Sequence, residues 1–205
     1  MVNKFEKNGT IMMVKNELLG EYLKRKLETV AKPQFGFVKK HLPLERKVFL
    51  EIGSFNGLLT NLINSETSSK CFALDINFCV EGKNIIKYDG KIFPFQNRSI
   101  DCFTCFEVVE HLENQRFFFK ELGRVCKTGA VGLLSTPNGK MVCGLMGGHN
   151  SVEYFLKRFF NIEKDCVCLF SKKELVFLVE SNGFKVIDLN NRFFQRGFRF
   201  LLYKI

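Results

Sequence analysis

The sequence predicts one α/β domain in which a mostly parallel β-sheet is covered by helices on both faces. Short apolar runs of strand length alternate along the chain with segments whose apolar residues recur at helical spacing. A glycine-containing turn joins the first of these runs to a helical segment. The chain has 205 residues, of which 46% are hydrophobic, and this length suits one sizeable core better than two.

The N-terminal region and the first strand precede that turn. Between residues 16 and 42 the apolar positions predict two amphipathic helices broken near Pro33, because proline interrupts helical hydrogen bonding. The run Val48–Ile52 then predicts a strand, followed by a turn with Gly53 and Gly57 and by a helix from Leu58. Glycine there permits positive φ and close approach of a ligand to the backbone. The helix directs its first N–H groups at the turn, which favours a nucleoside-bearing cofactor, although a glycine turn can also serve packing alone.

Two further apolar runs, Lys70–Asp75 and Asn84–Asp89, also end in an acidic residue. The carboxyl ends of parallel strands meet at one edge of a sheet, and a doubly wound sheet places the acid after its second strand against ribose hydroxyls. Glu51, Asp75 and Asp89 are therefore predicted to lie together at a cofactor site.

The remaining elements complete the alternation of strands and helices. Asp101–Phe106 predicts a fourth strand, residues 113–127 a helix stopped by Gly129, and Ala130–Leu134 a fifth strand. A capping box at Ser171–Glu174 predicts a helix that ends near Asn182 and Gly183. Two closing strands are predicted, with these bounds: Lys185–Leu189 and Phe198–Tyr203.

Several short motifs occur along these elements in a fixed order. They are Glu51–Gly57, Asp75, Asp89 with Ile92–Phe95, Ser99–Asp101, Glu107–Leu112 and Ser135–Asn138. Together they resemble the class I S-adenosylmethionine-dependent methyltransferases of the small-molecule type 11/type 12 kind, over roughly residues 45–205. The first motif of that family reads acid-x-Gly-x-Gly-x-Gly, and Phe55 stands at its middle glycine.

This resemblance implies a Rossmann-like sheet of seven strands, mostly parallel, that ends in an antiparallel hairpin. It implies that residues 1–44 form an arm and helices covering the cleft, and that residues 45–205 form the methyltransferase domain. Helices that merely cover one sheet face are the alternative for residues 1–44. The implied cofactor is S-adenosylmethionine, with these binding residues: Glu51, Gly53, Ser54, Phe55, Gly57, Asp75, Ile76, Asp89, Gly90 and Phe106.

His111 is the candidate catalytic residue. It follows the fourth strand at the edge where ligands bind in open α/β folds, and imidazole can accept a hydroxyl proton near neutral pH. His41 and His149 are the other histidines of the chain. A local role for His111, in which it orders the loop through hydrogen bonds, is the alternative.

Glu107, Glu110 and His111 also have the spacing of a divalent metal site if this segment is helical, and His149 would complete it. The segment is similar to the metal-binding one of ubiquinone-pathway O-methyltransferases and of small-RNA 2′-O-methyltransferases. Many relatives with a Glu-His pair here use no ion, so a metal is the less favoured alternative.

The net charge of +10 raises nucleic acid as a partner, yet the basic residues are scattered, as at 24–26 and 172–173, which favours a solvated surface. The eight cysteines are interpreted as reduced thiols of a cytoplasmic protein. Cys102 and Cys105 have metal-knuckle spacing, but on a strand they face opposite sides. No apolar run is long enough to span a bilayer.

The resemblance implies methyl transfer to a hydroxyl, or another nucleophile, of a small-molecule, lipid-linked or glycan-type acceptor. RNA 2′-O-methylation with a Glu/His metal site and a non-catalytic binding domain are the alternatives. A nicotinamide-dependent oxidoreductase requires Gly-x-Gly-x-x-Gly after the first strand, and residues 53–57 do not fit that pattern.

Overall fold

The structure is a computed structural model that describes residues 20–76, 84–88, 91–137, 170–188 and 197–205. Seven strands form one sheet, with these bounds: β1 Val48–Ile52, β2 Lys70–Asp75, β3 Ile85–Lys87, β4 Ile100–Phe106, β5 Cys126–Pro137, β6 Phe184–Asp188 and β7 Gly197–Lys204. The α-helices labelled here have these bounds: α1 Lys32–His41, α2 Leu58–Glu66, α3 Gln115–Val125 and α4 Lys172–Glu180.

The strands are ordered β3-β2-β1-β4-β5-β7-β6 across the sheet. β3, β2, β1, β4 and β5 run parallel to one another, and β7 lies antiparallel between β5 and β6. This arrangement confirms the predicted seven-stranded, mostly parallel sheet with an antiparallel C-terminal hairpin. The chain moves outward from β1 to β3 and then returns to β4 beside β1. The carboxyl ends of β1 and β4 therefore form the topological switch point, where ligands bind in open α/β sheets.

Helices cover both faces of the sheet. Buried residues of α3 and α4, such as Leu122 and Leu175, pack with one face, and buried residues of α1 and α2, such as Val38 and Ile63, pack with the other. Cys105 lies in the first cluster and Cys102 in the second. Their thiols thus face opposite sides of β4, as predicted. The described cysteines are free and buried, at these positions: Cys71, Cys102, Cys105 and Cys126.

The predicted break near Pro33 is wrong. Residues 20–41 are continuously helical, and the backbone changes register through a π-helical turn at Leu27–Ala31. The Lys32 N–H donates to the Leu27 carbonyl across this turn. Pro33 follows in the first turn of α1, where the fixed φ of proline is compatible with a helix. A proline therefore lies within a continuous helix because the change of register precedes it.

The predicted role of Gly129 as a helix stop is also wrong. The helix α3 ends at Val125, and β5 begins at the next residue. Gly129 has a φ of 81° within β5, where the pairing with β4 shifts between Ile100–Cys126 and Cys102–Val131. This irregularity places several β5 residues against few residues of β4, so a glycine with positive φ is accommodated in a bulge.

The other predicted elements agree with the structure or differ only in length. The capping box of α4 is present, with Ser171 Oγ accepting from the Glu174 N–H and Glu174 Oε2 accepting from the Ser171 N–H. The strand predicted at 84–89 spans only Ile85–Lys87, and Asp89 lies outside the described residues. Among the described helices, none is long and apolar enough to cross a membrane.

Candidate active site

The loop between β1 and α2 is tied to the end of β2. The N–H groups of Gly53 and Ser54 donate to the Leu74 carbonyl at 2.8 and 3.2 Å. The Phe55 N–H donates to Asp75 Oδ2 at 2.5 Å. The loop and the Asp75 carboxylate are consequently held together at the carboxyl ends of two neighbouring strands, as the sequence predicts.

Alternate residues of this loop have left-handed backbone conformations. The φ angles of Gly53, Phe55 and Gly57 are 74°, 52° and 66°. A Cβ on Gly53 would lie 2.2 Å from Val108 Cγ2, and one on Gly57 would lie 2.9 Å from Ile85 Cδ1. Both glycines thus permit close packing as well as positive φ. Phe55 adopts the conformation that a glycine would adopt at its position, at a cost of about 1 kcal/mol.

A cavity of about 260 Å³ lies at the carboxyl ends of β1 and β4. The β1–α2 loop and the start of α2 form one side, and Thr104, Phe106 and Glu107 contribute from β4 and the residue after it. The N-terminal helical segment and α1 contribute Lys26, Val30, Ala31 and Gln34. The cavity therefore occupies the topological switch point, beneath the N-terminal helical region.

Two buried hydroxyls in the cavity lining have no hydrogen-bond partner among the described residues. They are Ser54 Oγ and Thr104 Oγ1. A buried polar group without a partner costs free energy, so such groups mark positions where a polar ligand would be stabilised. Together with the nearby Asp75 carboxylate, this donor and acceptor set fits a nucleoside cofactor.

Glu51 lies in the cavity lining and also supports α2. Its Oε2 accepts hydrogen bonds from the Thr60 N–H at 2.8 Å and the Thr60 hydroxyl at 2.5 Å. Burial raises the pKa of Glu51 to about 7, and the bonds from Thr60 oppose that shift. The sequence predicts Glu51 only as a cofactor residue, and the structure adds its bond to the first turns of the helix.

The segment after β4 directs two carboxylates toward hydroxyls of β5. Glu107 Oε1 accepts from Ser135 Oγ at 2.6 Å, and Glu110 Oε2 accepts from Thr136 Oγ1 at 3.0 Å. Glu107 has a φ of 55°, so this residue and Phe55 are strained non-glycine residues in the lining of the same cavity. Desolvation of its carboxyl raises the pKa of Glu107, although the residue as a whole is exposed. Burial raises the pKa of Glu110 to about 8, with a further contribution from the charge of Glu107.

His111 ends the short 3₁₀ turn Val109–His111, and its side chain is 36% exposed. Its Nε2 lies 3.9 Å from Glu110 Oε1, a buried atom with no hydrogen-bond partner in the part of the chain that the structure describes. His111 does not belong to the lining of the 260 Å³ cavity, whereas Glu107 does. The candidate base His111 thus lies outside the cavity lining, on the 3₁₀ turn that follows Glu107.

The residues proposed for a metal do not form a metal site within the described ranges. No group of three or more His, Cys, Asp or Glu side chains there could hold an ion. The segment forms one 3₁₀ turn, Val109–His111. Glu107, which precedes the turn, and Glu110 within it accept hydrogen bonds from different hydroxyls of β5. His149 lies outside the described residues.

Replacing Glu110 by Gln is expected to remove part of the pH dependence of stability. The pKa of Glu110 is about 8 in the folded chain against an ordinary value of 4.5, so folding favours its neutral form. Its stabilising contribution is complete below about pH 4.5 and is lost as the pH rises through 8. We expect the Glu110→Gln variant to lose less unfolding free energy than the parent between pH 5 and pH 8, by on the order of 2 kcal/mol.

Urea unfolding at pH 5 and pH 8 measures this difference. Glu113→Gln is the matched control, since Glu113 is exposed on the same segment, and it should keep the parent's slope. Equal slopes for the parent and Glu110→Gln would contradict the shifted pKa.

Some of the predicted cofactor residues line the cavity and others do not. The cavity lining contains these predicted cofactor residues: Glu51, Gly53, Ser54, Phe55 and Phe106. Gly57 and Asp75 flank the same loop through the contacts given above. Ile76 follows β2 with half of its surface exposed and is outside the lining. Asp89 and Gly90 lie outside the described residues.

Thr104 and Lys26 are among the lining residues that are absent from the predicted site. Thr104 is the one hydroxyl residue of the otherwise apolar run 102–106, and that signal could have identified it. Lys26 belongs to the basic run 24–26. Nothing in the sequence distinguishes it from its neighbours, because only the helix register turns it toward the cavity.

Comparisons with known proteins agree with this fold and site. A family model described as a methyltransferase domain matches residues 19–189. The mitochondrial ubiquinone biosynthesis O-methyltransferase of Dictyostelium discoideum is 24% identical over 171 residues, which cover 73% of this chain and 53% of the relative. A Mycolicibacterium smegmatis protein named as an S-adenosylmethionine-dependent methyltransferase is 33% identical over 104 residues, or 51% of this chain and 36% of the relative. The chain thus matches about half or less of the length of these relatives.

A solved S-adenosylmethionine-dependent methyltransferase from Mesorhizobium loti superposes with a TM-score of 0.66 at 11% identity. The superposition covers 87% of this chain and all of the other, and it shows the shared fold. Since the family model spans most of the sequence, the chain belongs to the methyltransferase domain family and contains an S-adenosylmethionine-dependent methyltransferase domain.

Proposed function

We propose that the protein transfers a methyl group from S-adenosylmethionine to a hydroxyl of a small-molecule, lipid-linked or glycan-type acceptor. The observation that carries the proposal is the cavity at the switch point, which combines the glycine loop, the unpartnered Ser54 and Thr104 hydroxyls and the adjacent Asp75. When bound, S-adenosylmethionine supplies an activated methyl carbon on a sulfonium.

The chain's own residues would hold the cofactor in distinct ways. Asp75 would accept hydrogen bonds from ribose hydroxyls, because it follows β2 and is already joined to the loop through Phe55. Gly53 and Ser54 would line the position of the methionine moiety, and the N-terminal end of α2 favours electron-rich groups there. Ile76, Asp89 and Gly90 remain proposed contacts on the nucleoside side.

The protein's remaining tasks are to orient the acceptor and to exclude water. Much of the rate of such a displacement arises from positioning, so a large catalytic contribution from a single base is not required. We propose that residues 1–44 cover the cleft and that the acceptor binds on the side of the N-terminal helices. Residues 138–160, which the sequence also suggests for the acceptor pocket, lie outside the described residues. Helices that contribute Val30, Ala31 and Gln34 to the cavity lining support this arrangement.

The name of one relative supports the proposed hydroxyl acceptor. The Dictyostelium protein is named for O-methylation in ubiquinone biosynthesis, a reaction on a hydroxyl. We extend only the hydroxyl chemistry to this chain, and propose His111 as the group that accepts the hydroxyl proton. Glu110 Oε1 lies 3.9 Å from His111 Nε2, so the buried acid is close to the proposed base.

Replacing His111 by Ala is expected to lower turnover by roughly tenfold while leaving the affinity for S-adenosylmethionine within about twofold. The loss is modest for a general base because positioning supplies much of the rate. Steady-state kinetics and isothermal titration on the same preparations measure the two effects. Equal losses in turnover and cofactor affinity would instead assign His111 a local structural role.

Methyl transfer itself tests the proposed function. Purified protein is incubated with methyl-labelled S-adenosylmethionine and separate pools of phenolic, lipid-extract, glycan and RNA acceptors, with and without a chelator. Label in a base-stable ether of a small, lipid or glycan acceptor supports the proposal, and label only in RNA would replace it. Activity abolished by the chelator would favour the metal alternative, and S-adenosylmethionine binding without transfer to any pool would favour a non-catalytic domain.

A further inference from the structure

The roof of the cavity presents one cation, Lys26, among the described lining residues. Its neighbours in sequence, Lys24 and Arg25, are exposed, whereas Lys26 is partly buried. The acids of the same lining are Glu51 and Glu107, and burial raises the pKa of both. Lys26 is therefore the one cation among the described lining residues, and the two lining acids disfavour additional negative charge.

An aromatic pair connects Lys26 to the cofactor loop. Lys26 Nζ lies 5.5 Å from the centre of the Tyr22 ring. The ring of Tyr22 in turn meets the ring of Phe55 edge to face, with centroids 6.4 Å apart and planes at 72°. Phe55 occupies the strained loop position described above, so its side chain reaches from the loop to the N-terminal helical segment. These contacts fix the Lys26 ammonium relative to the loop.

A carboxylate entering this cavity has few favourable positions. Ionised Glu51 or Glu107 would repel it, and their neutral forms would offer it no charge compensation. Lys26 is a lining residue whose ammonium lies against the Tyr22 ring, and that ring contacts Phe55 of the loop. A bound anion would also shield the ammonium from the loss of water at its partly buried position.

We propose that Lys26 binds the carboxylate of the cofactor's methionine moiety, and that Tyr22 and Phe55 are positioning residues that hold Lys26 in place. The inference rests on the proposed function, because it assigns a contact within the same cofactor site. It gives the aromatic residue in the glycine loop a specific role, which is to dock the loop onto the helix that carries the cation.

The experiment compares S-adenosylmethionine with decarboxylated S-adenosylmethionine, which lacks only the carboxylate. Isothermal titration should show that the parent protein prefers the carboxylated compound by about tenfold, the usual size of one charged hydrogen bond. Lys26→Met should lose this preference by binding S-adenosylmethionine about tenfold more weakly and the decarboxylated compound unchanged. Lys24→Met, a matched change on the exposed face, should keep the parent's preference.

Tyr22 provides a second arm of the test. Tyr22→Phe keeps the ring and should retain the preference, whereas Tyr22→Leu should reduce it by about threefold. Thermal unfolding of each variant confirms that the binding differences do not arise from a loss of folded protein.

The outcomes distinguish failure of the Lys26 assignment from failure of the proposed methyltransferase function. A parent protein that binds both compounds equally, or a Lys26→Met variant that weakens both alike, overturns the assignment of Lys26 and leaves the proposed function standing. A parent protein that binds neither compound overturns both.

Discussion

Replacing Asp75 by Ala is expected to weaken S-adenosylmethionine binding by at least about a hundredfold. A carboxylate at the end of β2 can accept hydrogen bonds from two ribose hydroxyls, and each charged hydrogen bond contributes about 1.5–3 kcal/mol. The substitution also removes the acceptor that holds the Phe55 N–H at 2.5 Å, so the loop loses its connection to β2. Asp75→Asn, which keeps one acceptor oxygen, should lose about tenfold.

Isothermal titration measures both affinities, and Asp101→Ala is the matched control. Asp101 lies near the amino ends of β1 and β4, away from the cavity, where it accepts hydrogen bonds from the Val48 N–H and from Lys127. Its loss should reduce stability and leave the affinity for S-adenosylmethionine unchanged. If Asp75→Ala bound the cofactor as well as the parent does, the nucleoside site would lie elsewhere.

Replacing Gly53 by Ala is expected to lower the free energy of unfolding by about 3 kcal/mol. The new Cβ would lie 2.2 Å from Val108 Cγ2, and Gly53 has a φ of 74°. Overpacking costs about 1–3 kcal/mol, and the left-handed conformation adds about 1 kcal/mol for a residue with a side chain. Val108 also packs against the core beneath the 3₁₀ turn, so it has little room to move.

A double-mutant cycle, measured by urea unfolding, separates the cost of the contact with Val108 from the cost of the left-handed conformation at Gly53. Val108→Ala removes the clashing methyl group, so adding it to Gly53→Ala should cost less than adding it to the parent. The penalty for positive φ should remain in the double variant. Gly36→Ala is the control, since a Cβ there meets nothing within 4 Å and Gly36 lies in the helix α1; it should be neutral or stabilising by up to about 1 kcal/mol. Additive losses at Gly53 and Val108 would contradict the close contact.

The strand pattern could be predicted because it depends on local sequence. The run at Lys70–Asp75 is apolar, ends in an acid and forms β2 with the predicted bounds. Parallel strands then bring Asp75 beside the loop after β1 without further information. The capping box at Ser171 is equally local, because both of its hydrogen bonds lie within one turn.

The two errors have different causes, a local change of helix register and a pairing between strands. Proline usually interrupts a helix, but the π turn before Pro33 allows the helix to continue. Gly129 has the composition of a helix stop, yet pairing between β4 and β5 incorporates it into an irregular strand.

The cavity lining could be predicted only in part. Residues of the β1–α2 loop are adjacent in sequence, so one motif identifies them together. Lys26 and Thr104 reach the cavity from a separate helix and from the middle strand of the sheet. Their roles depend on helix register and on the pairing of Thr104 with Glu51 across β1 and β4, which only the assembled sheet shows.

The most direct measurement is a crystal structure of the protein with S-adenosylhomocysteine, the product that carries the same nucleoside and amino-acid groups. Our account predicts the ribose within hydrogen-bonding distance of the Asp75 carboxylate and the amino-acid portion in the cavity beside Gly53 and Ser54. A nucleoside bound away from the carboxyl ends of β1 and β2, with the cavity closed by the chain's own side chains, would contradict it.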